Sequence, residues 1–484
     1  MAGITIVGLG PGDPGHLTRE AWSVLESAQE LYLRTRRHPS VSGLPKGPTV
    51  YSFDDAYERH DTFDRVYDEI AERAIELGRR PEGMVLGVPG HPLVGEAVVQ
   101  RIAARARQEG IHLRIVAGVS FLEPTFTALH IDPFDGLQVC DATLLARRQH
   151  PPLDPDVAVL VVQLYSRALA SEAKMTLMNL YPDEHSLRLV SHAGTPAQRV
   201  DALPLYQLDR RDDLDHLTSL YIPPLPEAGS LSTYQDVVAR LRAPGGCPWD
   251  REQTHQSLRP HLLEEAYEVL EALDADDPQK LEEELGDLLL QILLHAQIAT
   301  EGGDFRLIDS VRTAVAKLVR RHPHVFGEAQ ADTSEDVLRS WEQIKRAERG
   351  DEGFRSMLSG INRSLPALAQ ALEVQRRVAR VGFDWSNAED VLAKVREELD
   401  EWTAARDESE LSWELGDLLF SLVNVARWHD LDAESALREA NLRFMRRFAL
   451  VEARAHESSV PLEEMTLGEL DALWEAAKRQ DSAC

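Results

Sequence analysis

The chain has 484 residues, too many for a single core, and its 43% hydrophobic and 27% charged residues are ordinary globular composition. Its formal net charge is −29, with most of the acidic excess beyond Leu225, so the surface repels a nucleic-acid backbone and no polymer partner is expected. No run of about 18 apolar residues predicts a membrane span, and three scattered cysteines (Cys140, Cys247, Cys484) argue for a reducing cytoplasm over a disulfide framework or zinc site.

The first part of the chain alternates apolar runs with helical patterns. ITIVGLG (Ile4–Gly10), GMVLGVPG (Gly83–Gly90), LRIVAG (Leu113–Gly118) and VAVLVVQLY (Val157–Tyr165) read as buried strands. AWSVLESAQELY (Ala21–Tyr32) and LVGEAVVQRIAARARQEG (Leu93–Gly110) read as helices, the first domain thus being α/β. The turn GLGPGDP (Gly8–Pro14) precedes a helix expected to start near Thr18. Arg34, Arg36, Arg37 and His38 form a basic turn, either exposed or available to substrate carboxylates. IPPLPEAG (Ile222–Gly229) is a Pro-rich connector, beyond which only helical periodicity continues. A second connector is expected at Ala347–Ser356, giving domains at 1–225, 226–350 and 351–484.

The helical half repeats itself. EEAYE (Glu264–Glu268) recurs as EELDE (Glu397–Glu401), and ELGDLL (Glu284–Leu289) recurs unchanged as Glu414–Leu419. AVAKLVRR (Ala314–Arg321) returns as ANLRFMRR (Ala440–Arg447), and Trp341/Lys345 as Trp474/Lys478. Four elements in one order mean duplication.

Residues three or four apart share a helical face. Glu265 and Glu268 therefore project together, as do Glu284 and Asp287; Glu398, Glu401, Glu414 and Asp417 repeat the pattern. Asp287 and Asp417 lie among leucines, where an unpaired carboxylate is expensive. Antiparallel packing of the two helices would gather four carboxylates. Each pair at ~5 Å repels by roughly 3 kcal/mol at an effective dielectric of about 20. Bound cation or protonation must relieve this, and all-oxygen ligands suit Mg²⁺ or Mn²⁺. Gly286 and Gly416 either serve core packing or admit a metal or neighbouring helix. Lys317, Arg320 and Arg321, with Arg443, Arg446 and Arg447 in the second repeat, read as the phosphate-binding half of the same clamp. Trp341/Lys345 and Trp474/Lys478 share a face and either pack in a core or close over ligand.

E-E-x-x-E followed by E-x-x-D resembles the MazG family of all-α nucleoside-triphosphate pyrophosphohydrolases, as do GGCPWDREQTH, RRHPHVFGE, RSLPALAQA and VGFDW. The resemblance runs from about Ser230 to Lys478 and implies all-α bundles in tandem that hydrolyse (d)NTPs to NMP and pyrophosphate. It implies Mg²⁺ on the second and third glutamates and the E-x-x-D pair, and homodimers. Glu264 and Glu397 would orient the attacking water, beside Arg443, Arg447 and Lys478 as catalytic cations. Asn441, Trp474, Lys317, Arg321, Trp341 and Lys345 would contact the nucleotide. Asn441 stands where the first repeat has Val315, and an amide there can donate to a phosphate or ribose oxygen, so the second repeat is expected to carry most turnover.

In the α/β part, GLGPGDP, VPGHPLVGEA, AGVSF, LVVQLYS and HAGTPAQR together resemble the two-lobed tetrapyrrole (corrin/porphyrin) methylases over residues 1–225. The resemblance implies S-adenosylmethionine against Gly90, Leu93, Val94, Ser120, Gly194 and Thr195. His91 replaces the usual acid and Phe121 a usual small hydroxyl residue. The whole arrangement resembles bacterial fusions of the two families. The expected function is pyrophosphohydrolysis; the alternative is a tetrapyrrole methyltransferase whose helical half is a dimerisation or nucleotide-sensing module.

Overall fold

The structure is a computed structural model and describes residues 3–481 except 335, 338, 342, 343, 345–355, 364 and 459. Lys345 and nearly all of the expected connector Ala347–Ser356 lie outside the described residues. The chain divides into two compact units, Met1–Arg240 and Leu241–Cys484.

The first unit holds two five-stranded sheets. β1 (Ile4–Gly8), β2 (Glu30–Leu33), β3 (Thr49–Ser52), β4 (Met84–Val88) and β5 (Leu113–Val116) form a parallel sheet in the order β3-β2-β4-β1-β5. The second sheet is mixed: β6 (Leu137–Asp141), β7 (Ala158–Val162), β8 (Ser186–Ser191), β9 (Arg199–Pro204) and β10 (Thr218–Ile222), in the order β6-β7-β10-β8-β9. The four expected strands are β1, β4, β5 and β7; β1, β4 and β7 carry apolar runs because they are buried along nearly their whole length, whereas edge strand β5 leaves Arg114 and Ile115 exposed.

Two expected helices are corrected. LVGEAVVQRIAARARQEG is helical only over Ala97–Glu109, its first four residues forming the turn that ends at the Glu96 N-cap position. AWSVLESAQELY does not stay helical to Tyr32: α1 (Arg19–Ser27) stops, and Glu30–Leu33 becomes β2. Leu31 and Leu33 are fully buried while Glu30 and Tyr32 are half-buried, a period of two that four residues make too short to separate from a helical one. Pairing with β3 and β4 decides it. The start near Thr18 agrees, since the Thr18 hydroxyl accepts from the Ala21 amide as N-cap. Two further helices matter below, α2 (Phe63–Gly78) and α3 (Ala97–Glu109).

Glycine motifs weave together at the carboxyl ends of β1, β4 and β5. The Gly90 amide donates to the Gly10 carbonyl at 2.8 Å and Leu9 to Val88 at 2.9 Å. A Cβ on Gly8 would stand 2.6 Å from both the Gly118 nitrogen and the Gly90 carbonyl oxygen. The Ile222–Gly229 connector ends tied to this unit, because the Asp156 carboxylate accepts from the Gly229 and Ser230 amides at 2.9 and 3.0 Å.

All regular secondary structure among the described residues of the second unit is helical. In the first repeat α4 (Arg259–Asp274) and α5 (Pro278–Gly302) form an antiparallel hairpin, followed by α6 (Leu307–Arg321). In the second, α7 (Ala388–Ala404) and α8 (Glu408–Trp428) repeat the hairpin, followed by α9 (Ala433–Ser458) and α10 (Leu467–Asp481). The same chemistry starts the second helix of each hairpin: Asp277 caps Gln279 and Lys280, and Asp407 caps Ser409 and Glu410.

Gly8→Ala is expected to destabilise the first unit by roughly 1–3 kcal/mol, because backbone on two sides must move. Urea unfolding measures this, and a loss below about 0.5 kcal/mol would show that the glycine weave is not close-packed.

Candidate functional site

Each hairpin sets carboxylates of its two helices face to face. In the first, one oxygen from each of Glu265, Glu268 and Glu284 lies within 4.8 Å of the others; Glu398, Glu401 and Glu414 do the same in the second. The structure gathers three acids per repeat, where four were expected. Asp287 and Asp417 sit one turn further along and are exposed, while burial falls on Glu284 and Glu398. The leucines around those aspartates are also exposed, Leu285 by 50% and Leu419 by 45%, so the expected burial of both aspartates is not seen in the single chain.

The crowding has electrostatic consequences. Burial first, then Asp287 and Glu268, raise the Glu265 pKa. Glu284 is raised by burial and by Glu268, and Glu401 by burial and by Glu398. Hard oxygen donors that resist ionising together fit a divalent cation such as Mg²⁺ or Mn²⁺. The second repeat carries its own counter-ion: Lys394 Nζ lies 2.9 Å from Glu397 and 2.8 Å from Glu398. The first repeat has His261 at that position, its Nδ1 3.5 Å from Glu264. The i−4 spacing of Lys394 from Glu398 is the signal in the sequence that marks this pair. A Cβ on Gly286 or Gly416 would meet nothing within 4 Å, so these glycines are not filling a core.

Among the described residues the basic elements have other neighbours. Helix α6 has no buried residue, and Lys317 on it is exposed. The Arg321 guanidinium lies over the Trp341 ring at 5.8 Å. Asn441 and Arg443 are exposed on α9, Arg447 is paired with Asp481 at 2.7 Å, and Lys478 with Glu475. Trp474 packs on Phe444 at 4.9 Å, the core-like alternative for that residue. In the single chain these side chains therefore have neighbours other than the carboxylate clusters. Their helices meet other helices or solvent, and helical periodicity does not say which.

A second site lies in the α/β unit, a cavity of about 1360 Å³. Gly90, Leu93 and Val94 line it; Ser120, Gly194 and Thr195 do not. Ser120 is 2% exposed and its hydroxyl donates to Glu123 at 2.6 Å. Thr195 and Gly194 instead pack against Gly12 and Pro124. Gln163 lines the cavity with φ at 61°, a left-handed backbone that a side-chain-bearing residue rarely holds.

The basic turn is not exposed as one piece. Arg34 is half-buried and faces the buried Glu96, Nε to Oε2 3.5 Å, while His38 is 7% exposed. Burial, then Arg34 and His216, push the His38 pKa down to about 4, so it is neutral near pH 7. Burial raises Glu96 to about 7 against the opposing pull of Arg34, and Tyr57 to about 12. Inside VPGHPLVGEA nothing local marks Glu96, whose surroundings come from distant parts of the chain, among them Arg34 and Tyr67 of the cavity wall.

Comparison with known proteins follows the same division. The family described as "MazG nucleotide pyrophosphohydrolase domain" matches residues 253–326, and "Tetrapyrrole (Corrin/Porphyrin) Methylases" matches residues 3–209. "Uncharacterized protein YabN" of Bacillus subtilis is 43% identical over 99% of both chains. "Nucleoside triphosphate pyrophosphohydrolase/pyrophosphatase MazG" of Thermotoga maritima is 45% identical over 53% of this chain and 99% of its own. Among solved structures, uroporphyrin-III-C-methyltransferase from Thermus thermophilus aligns with 46% of this chain and 93% of its own, at 24% identity and a TM-score of 0.37.

With side-chain ¹³C-labelled glutamate, one carboxyl resonance is expected to titrate near pH 7 and to be absent from Glu96→Gln. Such a raised pKa stabilises the fold below about pH 4.5, and the contribution is lost as pH rises through about 7. Titration of every glutamate near its ordinary value would refute the buried placement.

Proposed function

Because the chain belongs to the family that joins a tetrapyrrole methylase domain to a MazG half, we propose that it is a Mg²⁺- or Mn²⁺-dependent pyrophosphohydrolase converting (d)NTPs to (d)NMPs and pyrophosphate. The pair of three-carboxylate clusters carries this reading. Glu265, Glu268 and Glu284, with Asp287, and Glu398, Glu401 and Glu414, with Asp417, are the proposed metal ligands. The bound cation supplies charge neutralisation at the phosphates and acidifies water. Glu264 and Glu397 are proposed to orient the attacking water and hold its proton, with Lys394 fixing the Glu397 carboxylate at 2.9 Å.

Lys317, Arg321, Arg443, Arg447, Asn441, Lys345, Lys478, Trp341 and Trp474 remain the proposed nucleotide contacts. A second copy of the chain is proposed to bring the basic helices to the acids. Supporting this, α6 exposes Ile308, Val311, Val315 and Leu318 along one face without burying any residue, and an isolated 15-residue helix is marginal in water. Helix α8 likewise exposes Leu411, Leu415, Leu419 and Leu422. The α/β unit is proposed to hold S-adenosylmethionine against Gly90, Leu93 and Val94, with Ser120, Gly194 and Thr195 as supporting backbone. The protein is proposed to act in the cytoplasm; no helix among the described residues is long and apolar enough to cross a membrane.

Purified protein is expected to release pyrophosphate from NTPs or dNTPs only with Mg²⁺ or Mn²⁺; release of orthophosphate alone would mean a different bond is cut. Glu401→Gln is expected to lower turnover by about 10²-fold or more and Glu268→Gln much less, with the second repeat as the main site. Equal losses would mean two working sites, and the reverse order would overturn the ranking.

Sedimentation equilibrium is expected to give a dimer mass that Leu318→Glu shifts toward monomer. A monomer at every concentration would remove the second copy from the scheme.

A further inference from the structure

We infer that the cavity of the α/β unit receives a cationic, amine-bearing methyl acceptor and is closed to polycarboxylated macrocycles. The inference rests on the reading that this unit binds S-adenosylmethionine.

Charge comes first. Seven carboxylates and three guanidinium groups line the cavity, and no lysine does. One of the three cations, Arg34, faces Glu96. His38 adds no charge near pH 7, for the reasons given above. A wall of this balance repels a ligand bearing several carboxylates and attracts an ammonium group.

The wall also carries polar groups without partners. The Glu96 side chain is 6% exposed, and its Oε2 makes no hydrogen bond although Arg34 Nε stands 3.5 Å away. Arg34 Nε and the Tyr57 hydroxyl are likewise buried without one. A buried carboxylate oxygen without a donor is costly, and an ammonium or amine N–H is the donor its charge favours. Glu96 is the N-cap residue of α3, yet its side chain makes no cap hydrogen bond.

Aromatic rings supply the third element. Phe63 lies 6.0 Å from Tyr67 and 6.5 Å, edge-on, from Tyr165, and all three line the cavity. Phe63 is 57% exposed and Tyr165 38%, so their rings are open, whereas Arg101 lies over Tyr67 at 5.9 Å. Asp61 and Asp64 flank Phe63 in sequence and line the same wall. Aromatic faces beside carboxylates recognise alkylated and unalkylated ammonium groups alike, which suits an acceptor whose nitrogen, after losing its proton to solvent, would take the methyl as the sulfonium S–CH3 bond of S-adenosylmethionine breaks and S-adenosylhomocysteine leaves. A macrocycle could stack on the rings, but its carboxylates would meet the acidic wall.

The test uses the full-length protein at about 0.15 M salt, with S-adenosylhomocysteine present, and two probes. One is a fluorescein-labelled trilysine peptide; the other is uroporphyrin III, followed by its own fluorescence. The peptide is expected to bind, roughly tenfold more weakly to Glu96→Gln and to Phe63→Ala, and unchanged to the exposed-carboxylate control Glu184→Gln. Phe63 is a surface residue, so its variant separates lost recognition from lost folding. Peptide binding untouched by both variants, or no peptide binding, overturns the inference. Uroporphyrin III binding more tightly than the peptide also overturns it. Failure of S-adenosylhomocysteine alone to raise the melting temperature would instead sink the cofactor reading, and the peptide comparison reads independently of it.

Discussion

Three carboxylates within 4.8 Å of one another, twice in one chain, form a constraint that the helical half is built around. Desolvation first, and then like charges at this range, raise the proton affinity of Glu265, Glu284 and Glu401. Such a cluster persists only if the scaffold imposes it. Here the scaffold is a helical hairpin with an aspartate cap at the start of its second helix, so the register of the glutamates follows from the length of one turn. The two copies then differ in how charge is balanced. Lys394 bridges Glu397 and Glu398, whereas His261 in the first repeat approaches Glu264 and meets the Trp249 ring edge-on.

The hairpins leave much apolar surface uncovered. Ile308, Val311, Val315 and Leu318 on α6 and Leu411, Leu415, Leu419 and Leu422 on α8 are at least partly open, and Gly286 and Gly416 face open space. These rows are the surfaces that the proposed second copy would cover. In the first repeat the helix that carries Lys317 and Arg321, α6, is also the one that buries none of its residues.

The α/β unit is organised by backbone contact instead of charge. Gly8, Gly10, Gly90 and Gly118 let three loops touch at the carboxyl ends of β1, β4 and β5, where ligands of open α/β sheets bind. The adjoining wall is acidic and aromatic, and its buried Glu96–Arg34 pair leaves polar atoms unsatisfied. A fold shared with tetrapyrrole methylases does not carry their substrate with it; the wall decides that.

The sequence by itself determined the two-part architecture, the four strongest strands, the duplication and the face shared by the glutamates. These rest on local periodicity, and Glu265 and Glu268 share a face wherever their helix goes. Tertiary structure alone decided which acids meet and which are buried. It turned Glu30–Leu33 from the end of a helix into a strand through pairing with β3 and β4. It put Glu284 inside and Asp287 outside, though both lie on one helix three residues apart. It tied Arg447 to Asp481 and drew Arg34, His38, Tyr57 and Glu96 into one cavity wall. Burial and desolvation depend on what packs over a residue from distant parts of the chain, and no periodicity along the chain records that.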